Sequence, residues 1–233
     1  MSESPVNPSA PRTSRRPYRS PKRAAAALKT RHAIRDAAET LFLRDGFTRT
    51  SMKAIAQQAG VSEKTMYLTY ATKANLLREV IQVAVRGDES AATLAERPEW
   101  RAVMAGPLDE VFARFAARNA ALMHRTAPII ALAESAAASD TELAEHRDHA
   151  HATSRADLHA LATELKQRGG LAPHISEQDA ADTMYALVTD ANIYLRLTTE
   201  CGWTQARYAD LIAHTLKATL APPDRPAHVQ PDT

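Results

Sequence analysis

Two short amphipathic segments separated by one glycine are the feature that most constrains the fold of this chain. Residues 51–73 read SMKAIAQQAGVSEKTMYLTYATK, and Gly60 lies between the two apolar patterns. Each segment predicts a helix of about two turns, which is too short to be stable alone in water. The preceding segment, from about Thr30 to Leu43, carries an apolar face at helical spacing. The three segments together predict a compact three-helix unit.

Capping residues predict where these helices begin and end. Thr50 or Ser51 is placed to cap the second helix, and Ser62 is placed to cap the third. Thr72 is a further candidate cap, for a fourth helix that continues past residue 84. Gly60 is expected to end the second helix in the left-handed conformation, which glycine adopts at the least cost.

The remainder of the chain is also helical in pattern, and no strand or internal repeat is indicated. Further helices are predicted over residues 99–105, 107–124, 128–138, 140–168, 176–200 and 204–220. The fold class is therefore all-α, with an N-terminal three-helix helix-turn-helix domain and a larger helical domain after it. The predicted divisions are a disordered basic arm over 1–27, the helix-turn-helix domain over 28–75, the C-terminal domain over 76–220 and a disordered tail over 221–233.

Charge is distributed unevenly along the chain, although the formal net charge is only +2. Residues 1–73 hold 14 Lys and Arg against 5 Asp and Glu, a net of +9. Residues 74–233 hold 15 against 22, a net of −7. A basic front favours a polyanion as partner, and a merely solvated basic tail is the alternative.

The third helix divides into a core face and an open face. Val61, Met66 and Tyr70 fall on the core side. An exposed helix of this diameter fits the major groove of B-DNA. The hydroxyl of Tyr67 and the ammonium of Lys73 would lie near flanking phosphates, with a half-buried aromatic and a solvated lysine as the alternatives. The predicted DNA-binding residues are Thr50, Ser51, Glu63, Lys64, Thr65, Tyr67, Leu68, Thr69 and Lys73.

Three of these residues have side chains suited to base edges. Lys64 can donate to guanine O6 and N7, Glu63 can accept from cytosine N4, and Thr65 can contact a thymine methyl. These pairings predict sequence-specific recognition of double-stranded DNA.

The spacing of residues over about 30–77 resembles the DNA-binding domain of the TetR family of bacterial transcription regulators. Residues 34–77 read IRDAAETLFLRDGFTRTSMKAIAQQAGVSEKTMYLTYATKANLL. Tyr70 stands where the family usually has Phe, and Met66 where it usually has Leu; both changes keep the core apolar. The resemblance implies an all-helical homodimer with an N-terminal DNA-binding head and a C-terminal domain for ligand binding and dimerisation. It also implies that Tyr67 and Lys73 contact phosphates.

Beyond residue 77 the resemblance is one of architecture only. The helices predicted over 176–200 and 204–220 resemble the pair that forms a four-helix dimer interface in the family, and burial in the chain's own core is the alternative. The candidate interface residues are Met184, Tyr185, Val188, Ile193, Leu197, Leu211, Ile212 and Leu216. The candidate residues of a ligand cavity in the C-terminal domain are Met104, Phe112, Phe115, Arg118, Asn119, Met123, His124 and Ile130.

Other kinds of site are poorly supported by the sequence. Glu142, His146 and His149 share one helix face, but a solvated polar face explains them better than a metal site. Phosphate-binding glycine loops and catalytic triad motifs are missing, so neither an enzyme nor a cofactor is predicted. The single cysteine, Cys201, allows no internal disulfide, and no apolar run of about 18 residues is present. A cytoplasmic protein that is not inserted in a membrane is expected.

These observations predict a homodimeric DNA-binding regulator of transcription, most simply a repressor that a small molecule releases from an inverted-repeat operator. A constitutive DNA-binding architectural protein without effector control is the alternative. A shift in melting temperature on ligand binding would separate the two.

The basic arm gives a first testable prediction. Residues 1–31 carry eight Lys and Arg against one acidic residue, which suits contacts with phosphates or with the adjacent minor groove. Deletion of residues 1–27 is expected to weaken DNA binding and to flatten the dependence of log affinity on log salt concentration. Titrations at several salt concentrations measure this, and an unchanged slope would show that the arm does not contact DNA.

Overall fold

The computed structural model describes residues 21–87 and 98–223, and all regular structure within these ranges is helical. The all-α prediction is therefore confirmed. The expectations for residues 1–20 and 224–233 lie outside the described ranges. The helices are α1 (Pro21–Asp45), α2 (Met52–Gln58), α3 (Glu63–Thr69), α4 (Lys73–Arg86), α5 (Pro98–Ala105), α6 (Val111–Ala137), α7 (Thr141–Gln167), α8 (Glu177–Val188), α9 (Ala191–Leu195) and α10 (Gln205–Leu220).

Helices α1 to α4 form the N-terminal head around one apolar core. Phe42 and Ile55 are fully buried, and the Phe42 ring lies 5.7 Å from that of Phe47. Gly60 has a φ of +67°, which lets the chain turn from α2 into α3 as predicted. The side chains of Ser62 and Thr72 accept backbone hydrogen bonds at the starts of α3 and α4, as the sequence predicted. Of the two candidates for α2, Ser51 is the cap.

The head core includes residues from beyond the head. The end of α6 contributes Ile129, Ala136 and Ala137, and the start of α7 contributes Leu143. All four are buried against the apolar faces of the head helices. The longest helices of the C-terminal domain therefore complete the packing of the N-terminal unit.

A second core fills the C-terminal domain. Helix α6 lies along α10 and α9, while α7 packs on α8. Its largest fully buried side chains include Phe115, Leu165, Tyr208 and Leu216. No helix within residues 21–87 and 98–223 is both long and apolar enough to cross a bilayer.

Three predicted helix boundaries differ from the structure. Helix α1 begins at Pro21, so residues 21–27 are helical rather than part of a disordered arm. Proline is favoured in the first helical turn, and the sequence that follows it, KRAAAAL, has a high helix propensity. A deletion that leaves α1 intact would therefore end at residue 20.

The other two differences lie in the C-terminal domain. Helix α6 continues through Pro128, where a break was predicted, because the adjoining Ala127 and Ile129 are buried in the two cores and hold the segment in place. The helix predicted over 176–200 divides at Thr189, since the Asp190 side chain accepts from the amides of Asn192 and Ile193 and starts a new helix.

Half of the candidate dimer residues are core residues of a single chain. Met184, Val188, Ile212 and Leu216 are at most 4% exposed and pack within the C-terminal core, so they do not supply an interface. Periodicity alone could not distinguish these two environments. Of the remaining candidates, Leu211 is exposed, and the half-buried ones are Tyr185, Ile193 and Leu197.

One buried phenol lacks a hydrogen-bond partner. The Tyr208 side chain is fully buried, its ring lies edge-on to Tyr194 with the centroids 4.8 Å apart, and its hydroxyl makes no hydrogen bond. Burial raises the pKa of Tyr208 to about 12. A polar group in such a position costs stability, because it loses its water without gaining a partner.

We expect Tyr208→Phe to raise the free energy of unfolding by about 1 kcal/mol, measured by urea denaturation at neutral pH. The wild type should also lose stability as the pH rises from about 10 towards 12, because the unfolded phenol ionises before the buried one. The variant should lose less over the same range. Tyr67→Phe, at an exposed tyrosine, is the control and should change neither quantity. A Tyr208→Phe variant less stable than the wild type would show that the hydroxyl has a partner.

Candidate nucleic-acid interface

Helix α3 packs on the head mainly through two apolar side chains. Met66 is fully buried and Tyr70, which follows the helix, is 5% exposed. The side chain of Ser62 accepts from the amide of Thr65 at 3.1 Å and caps the helix. Because so little of α3 is buried, most of its circumference faces solvent.

The exposed face of α3 carries large side chains that soluble proteins usually bury. Leu68 is 78% exposed and Tyr67 is 54% exposed. Glu63 and Lys64 are exposed beside them, and Glu63 lies 3.9 Å from the ammonium of Lys53 on α2. This face combines donors, acceptors and apolar contacts, as base edges in a major groove require.

Lys53 is a further residue of this surface that was not predicted from the sequence. Its side chain is 65% exposed, and its pairing with Glu63 places a second cation beside the open face of α3. A lysine at an exposed position of the preceding helix was the only available signal, and many such lysines are merely solvated.

Two predicted contact residues have internal hydrogen bonds instead of free hydroxyls. Thr65 is half-buried and its hydroxyl lies 2.8 Å from that of Ser62. The hydroxyl of Thr69 donates to the carbonyl of Thr65 at 2.7 Å. The hydroxyls of these two side chains stabilise α3, and their methyl groups remain available for contact with DNA.

Thr50 does not face a DNA partner as the sequence predicted. Its side chain is 3% exposed, and its hydroxyl donates to the carbonyl of Gly46 at 2.8 Å. A buried hydroxyl with a bond of this kind cannot meet a phosphate. The neighbouring Ser51 is exposed and caps α2 by accepting from the amide of Ala54, so it alone remains available at this position.

The ammonium of Lys73 holds the turn between α1 and α2. It donates to the carbonyls of Phe47 at 2.7 Å and Thr50 at 2.9 Å, and it lies 4.2 Å from the centre of the Phe47 ring. Burial lowers the pKa of Lys73, and the negative charge of Asp140 partly opposes that shift. Lys73 therefore stabilises the head internally, a role that the sequence analysis did not foresee.

The start of α4 is also bonded to the C-terminal domain. Glu142 on α7 accepts from the hydroxyl of Thr72 at 2.9 Å and from the side-chain amide of Asn75 at 2.6 Å. His146 lies one turn further along α7, with its Nε2 atom 3.7 Å from the same carboxylate oxygen. The position of α4, and with it the head, is thus tied to α7.

The candidate ligand residues lie in different environments. Asn119 donates its side-chain amide to the carbonyl of Val188 at 3.0 Å, and His124 lines the cavity described below. Arg118 and Ile130 are half-buried. The apolar candidates Met104, Phe112, Phe115 and Met123 are closely packed in the C-terminal core.

Comparison with known proteins supports the interpretation of the head. Residues 34–80 match the family model described as bacterial regulatory proteins of the tetR family. This match includes α2, α3 and the turn between them. No curated protein matches the chain.

Solved structures match most of the chain at low sequence identity. NalD, the secondary repressor of the MexAB-OprM multidrug efflux pump in Pseudomonas aeruginosa, is 21% identical with a TM-score of 0.64, over 86% of this chain and 100% of that one. A protein of Mesorhizobium loti assigned to the TetR family is 19% identical with a TM-score of 0.63, over 84% and 98%. These similarities show the fold.

A third structure was solved with a small molecule. The protein, from Saccharomonospora viridis and assigned as a transcriptional regulator, was crystallised with choline; it is 14% identical with a TM-score of 0.62, over 83% of this chain and 98% of that one. The family model thus confirms the resemblance of residues 34–80 to the TetR family, and the solved structures share the fold of the chain. The activity that accompanies such a head is DNA-binding regulation of transcription.

We expect Lys73→Ala to lower the free energy of unfolding by about 1–3 kcal/mol, because two carbonyls lose a charged donor. Thermal and urea denaturation measure the loss. Lys64→Ala, at an exposed position of α3, is the matched control and should change stability by less than about 0.5 kcal/mol. Equal stabilities for the two variants would contradict the internal role of Lys73.

Proposed function

We propose that this protein is a homodimeric repressor that binds an inverted-repeat operator through α3 and is released by a small-molecule effector. The observation that carries the proposal is the open face of α3, where Tyr67 and Leu68 are exposed beside Glu63 and Lys64. An isolated leucine on a surface needs no explanation, but a whole helix face of mixed chemistry on a helix-turn-helix unit does.

Lys64 is proposed to read bases and Tyr67 to contact a flanking phosphate. Lys64 lies in the first turn of α3, the part of a recognition helix that reaches base edges. Tyr67 is one turn further along and presents its hydroxyl to solvent. Ser51 and Lys53 at the start of α2 add donors that could follow the phosphate backbone.

Dimerisation is proposed because one short helix reads few base pairs. A two-fold related pair of heads reads two half-sites about 34–36 Å apart, and this predicts a palindromic operator. The exposed side chains of α8 to α10, with Leu211 among them, are the candidate surface.

Effector control is proposed from the way the two domains share packing. Helix α6 lies in both hydrophobic cores, and Glu142 bonds the start of α4 to α7. A ligand that binds two arrangements of α6 with different affinity would change the spacing of the heads. The NalD repressor and the choline complex of the Saccharomonospora viridis protein are consistent with repression and with ligand binding in proteins of this fold.

The decisive experiment is to sequence the DNA fragments that the purified protein retains from a random pool. A palindrome with half-sites about one helical turn apart is expected. Retention of fragments without a common sequence would favour the architectural protein instead, and failure to retain DNA would reject both functions.

Two lysine variants test the assignment of roles on the same selected operator. Lys64→Ala should change the preferred base at one position of each half-site, with a loss of discrimination of about 1–3 kcal/mol. Lys73→Ala should weaken binding to all sequences alike, because it destabilises the turn that supports α2 and α3. Binding to a panel of single-base operator variants measures both effects. An unchanged base preference in Lys64→Ala would show that the reading face is misplaced.

A further inference from the structure

A cavity of about 370 Å³ lies on the C-terminal domain, between the middle of α6 and the segment that joins α9 to α10. This is at the lower end of the volumes of small-molecule sites, roughly 300–1,000 Å³. His124 and Pro128 line it from α6, and Tyr194, Leu195 and Trp203 line it from the opposite side. No carboxylate, lysine or arginine is among the lining residues.

Pro128 leaves a hydrogen-bond acceptor on the wall of this cavity. In a regular helix the carbonyl of His124 would accept from the amide of residue 128, but proline has no amide hydrogen. Both residues line the cavity, and the carbonyl that loses its helical donor belongs to the turn of α6 between them. A carbonyl without its helical donor can accept a hydrogen bond from a ligand, and this bond stabilises the complex.

Several of the other polar groups of the wall already have partners. The Thr198 hydroxyl donates to the carbonyl of Tyr194 at 2.8 Å, and the Thr199 hydroxyl donates to the carbonyl of Leu195. The hydroxyl of Tyr194 lies 3.2 Å from the Nδ1 atom of His124. The side chains of Gln205 and Trp203 also line the cavity. The cavity therefore presents apolar groups, the carbonyl of His124 and these two polar side chains.

The opposite wall is shaped by a turn of π-helix over Arg196–Glu200. The amide of Cys201 donates to the carbonyl of Arg196 at 3.0 Å, and the amide of Trp203 donates to that of Leu197 at 2.9 Å. These wide turns bring Trp203 back towards α6. Turns of π-helix occur often at functional sites, although the turn alone identifies none.

The charge around the cavity selects among ligand classes. The guanidinium of Arg207 lies 4.0 Å from the centre of the Trp203 ring, so a cation already occupies one face of that indole. No carboxylate lines the cavity to balance a second cation. An organic cation is therefore disfavoured, and a neutral ligand fits best.

We propose that this cavity binds a small, neutral, mostly apolar aromatic molecule with one hydroxyl donor, such as an alkylphenol, and that the donor bonds to the carbonyl of His124. The ring would pack against Pro128, Leu195 and Trp203. As an effector site this rests on the proposed function, because α6 continues from the cavity to Ile129 and Ala136 in the head core. The binding itself does not depend on DNA.

The test uses two probes of nearly equal shape, 4-ethylphenol and 4-ethyltoluene, with isothermal titration calorimetry on the full chain. The wild type is expected to bind the phenol about fivefold more tightly, since only the phenol can donate a hydrogen bond. Pro128→Ala restores the amide donor to the His124 carbonyl and should remove this preference, while binding of 4-ethyltoluene persists. That persistence also shows that the variant is folded.

A filling variant checks the location. Thr198→Phe should abolish binding of both probes, whereas Thr153→Phe, at an exposed position of α7, should bind them as the wild type does. Equal affinity of the wild type for the two probes, or an unchanged preference in Pro128→Ala, would overturn the proposal. A change of oligomeric state in Thr198→Phe, without probe binding by the wild type, would assign the cavity to contact with a second copy and would also overturn it.

DNA binding distinguishes this proposal from the one on which it rests. The random-pool selection is made without either probe. Retention of a palindrome with no probe binding would reject the cavity alone. Probe binding without DNA retention would reject the proposed function and leave the ligand site standing.

Discussion

Helices α2 and α3 have seven residues each, and neither can be stable without the surface that α1 and α4 provide. Almost everything else in the head follows from this constraint. Ile55 and Met66 are fully buried, a serine caps each helix, and Lys73 bonds the carbonyls of the preceding turn. Because so few residues of α3 are needed for attachment, the rest can face outward. Helix α3 is both short and exposed because only a few of its residues pack against the head.

The second organising feature is that α6 belongs to both hydrophobic cores. Its first part packs against α9 and α10, and its last two turns close the core of the head. Pro128 lies near the junction of these two parts and lines the cavity, and proline has no amide hydrogen for the carbonyl of His124. A change in packing at that point would be transmitted to α1 and α4 through the end of α6, which packs in the head core. The hydrogen bonds of Glu142 give a second connection, between α7 and α4. The geometry thus suits control of the head from the C-terminal domain.

The sequence predicted the head well because local signals and tertiary packing agree there. Serine and threonine caps, a glycine turn and 3.6-residue periodicity all indicate the same boundaries, and Ser62 and Thr72 cap their helices as predicted. The wrong predictions concern residues whose role depends on whether the side chain is buried. The sequence suggests a surface hydroxyl at Thr50, but in the structure this hydroxyl donates to the carbonyl of Gly46 inside the head. Met184 and Leu216 have the periodicity of an interface, yet they face their own chain, and a one-dimensional pattern does not record which partner covers a face. The continuity of α6 through Pro128 was also hidden, because it depends on neighbours far along the chain.

The four buried residues that α6 and α7 give to the head core limit the modularity of this architecture. A fragment ending at Gly87 would leave an apolar gap where Ile129, Ala136, Ala137 and Leu143 now pack, so the recognition unit is not self-sufficient. Recombination that grafted these four N-terminal helices onto a foreign C-terminal domain would succeed only if the new domain supplied matching side chains at that contact. The head and the C-terminal domain must therefore diverge together at this boundary, even while the exposed surfaces of each change independently.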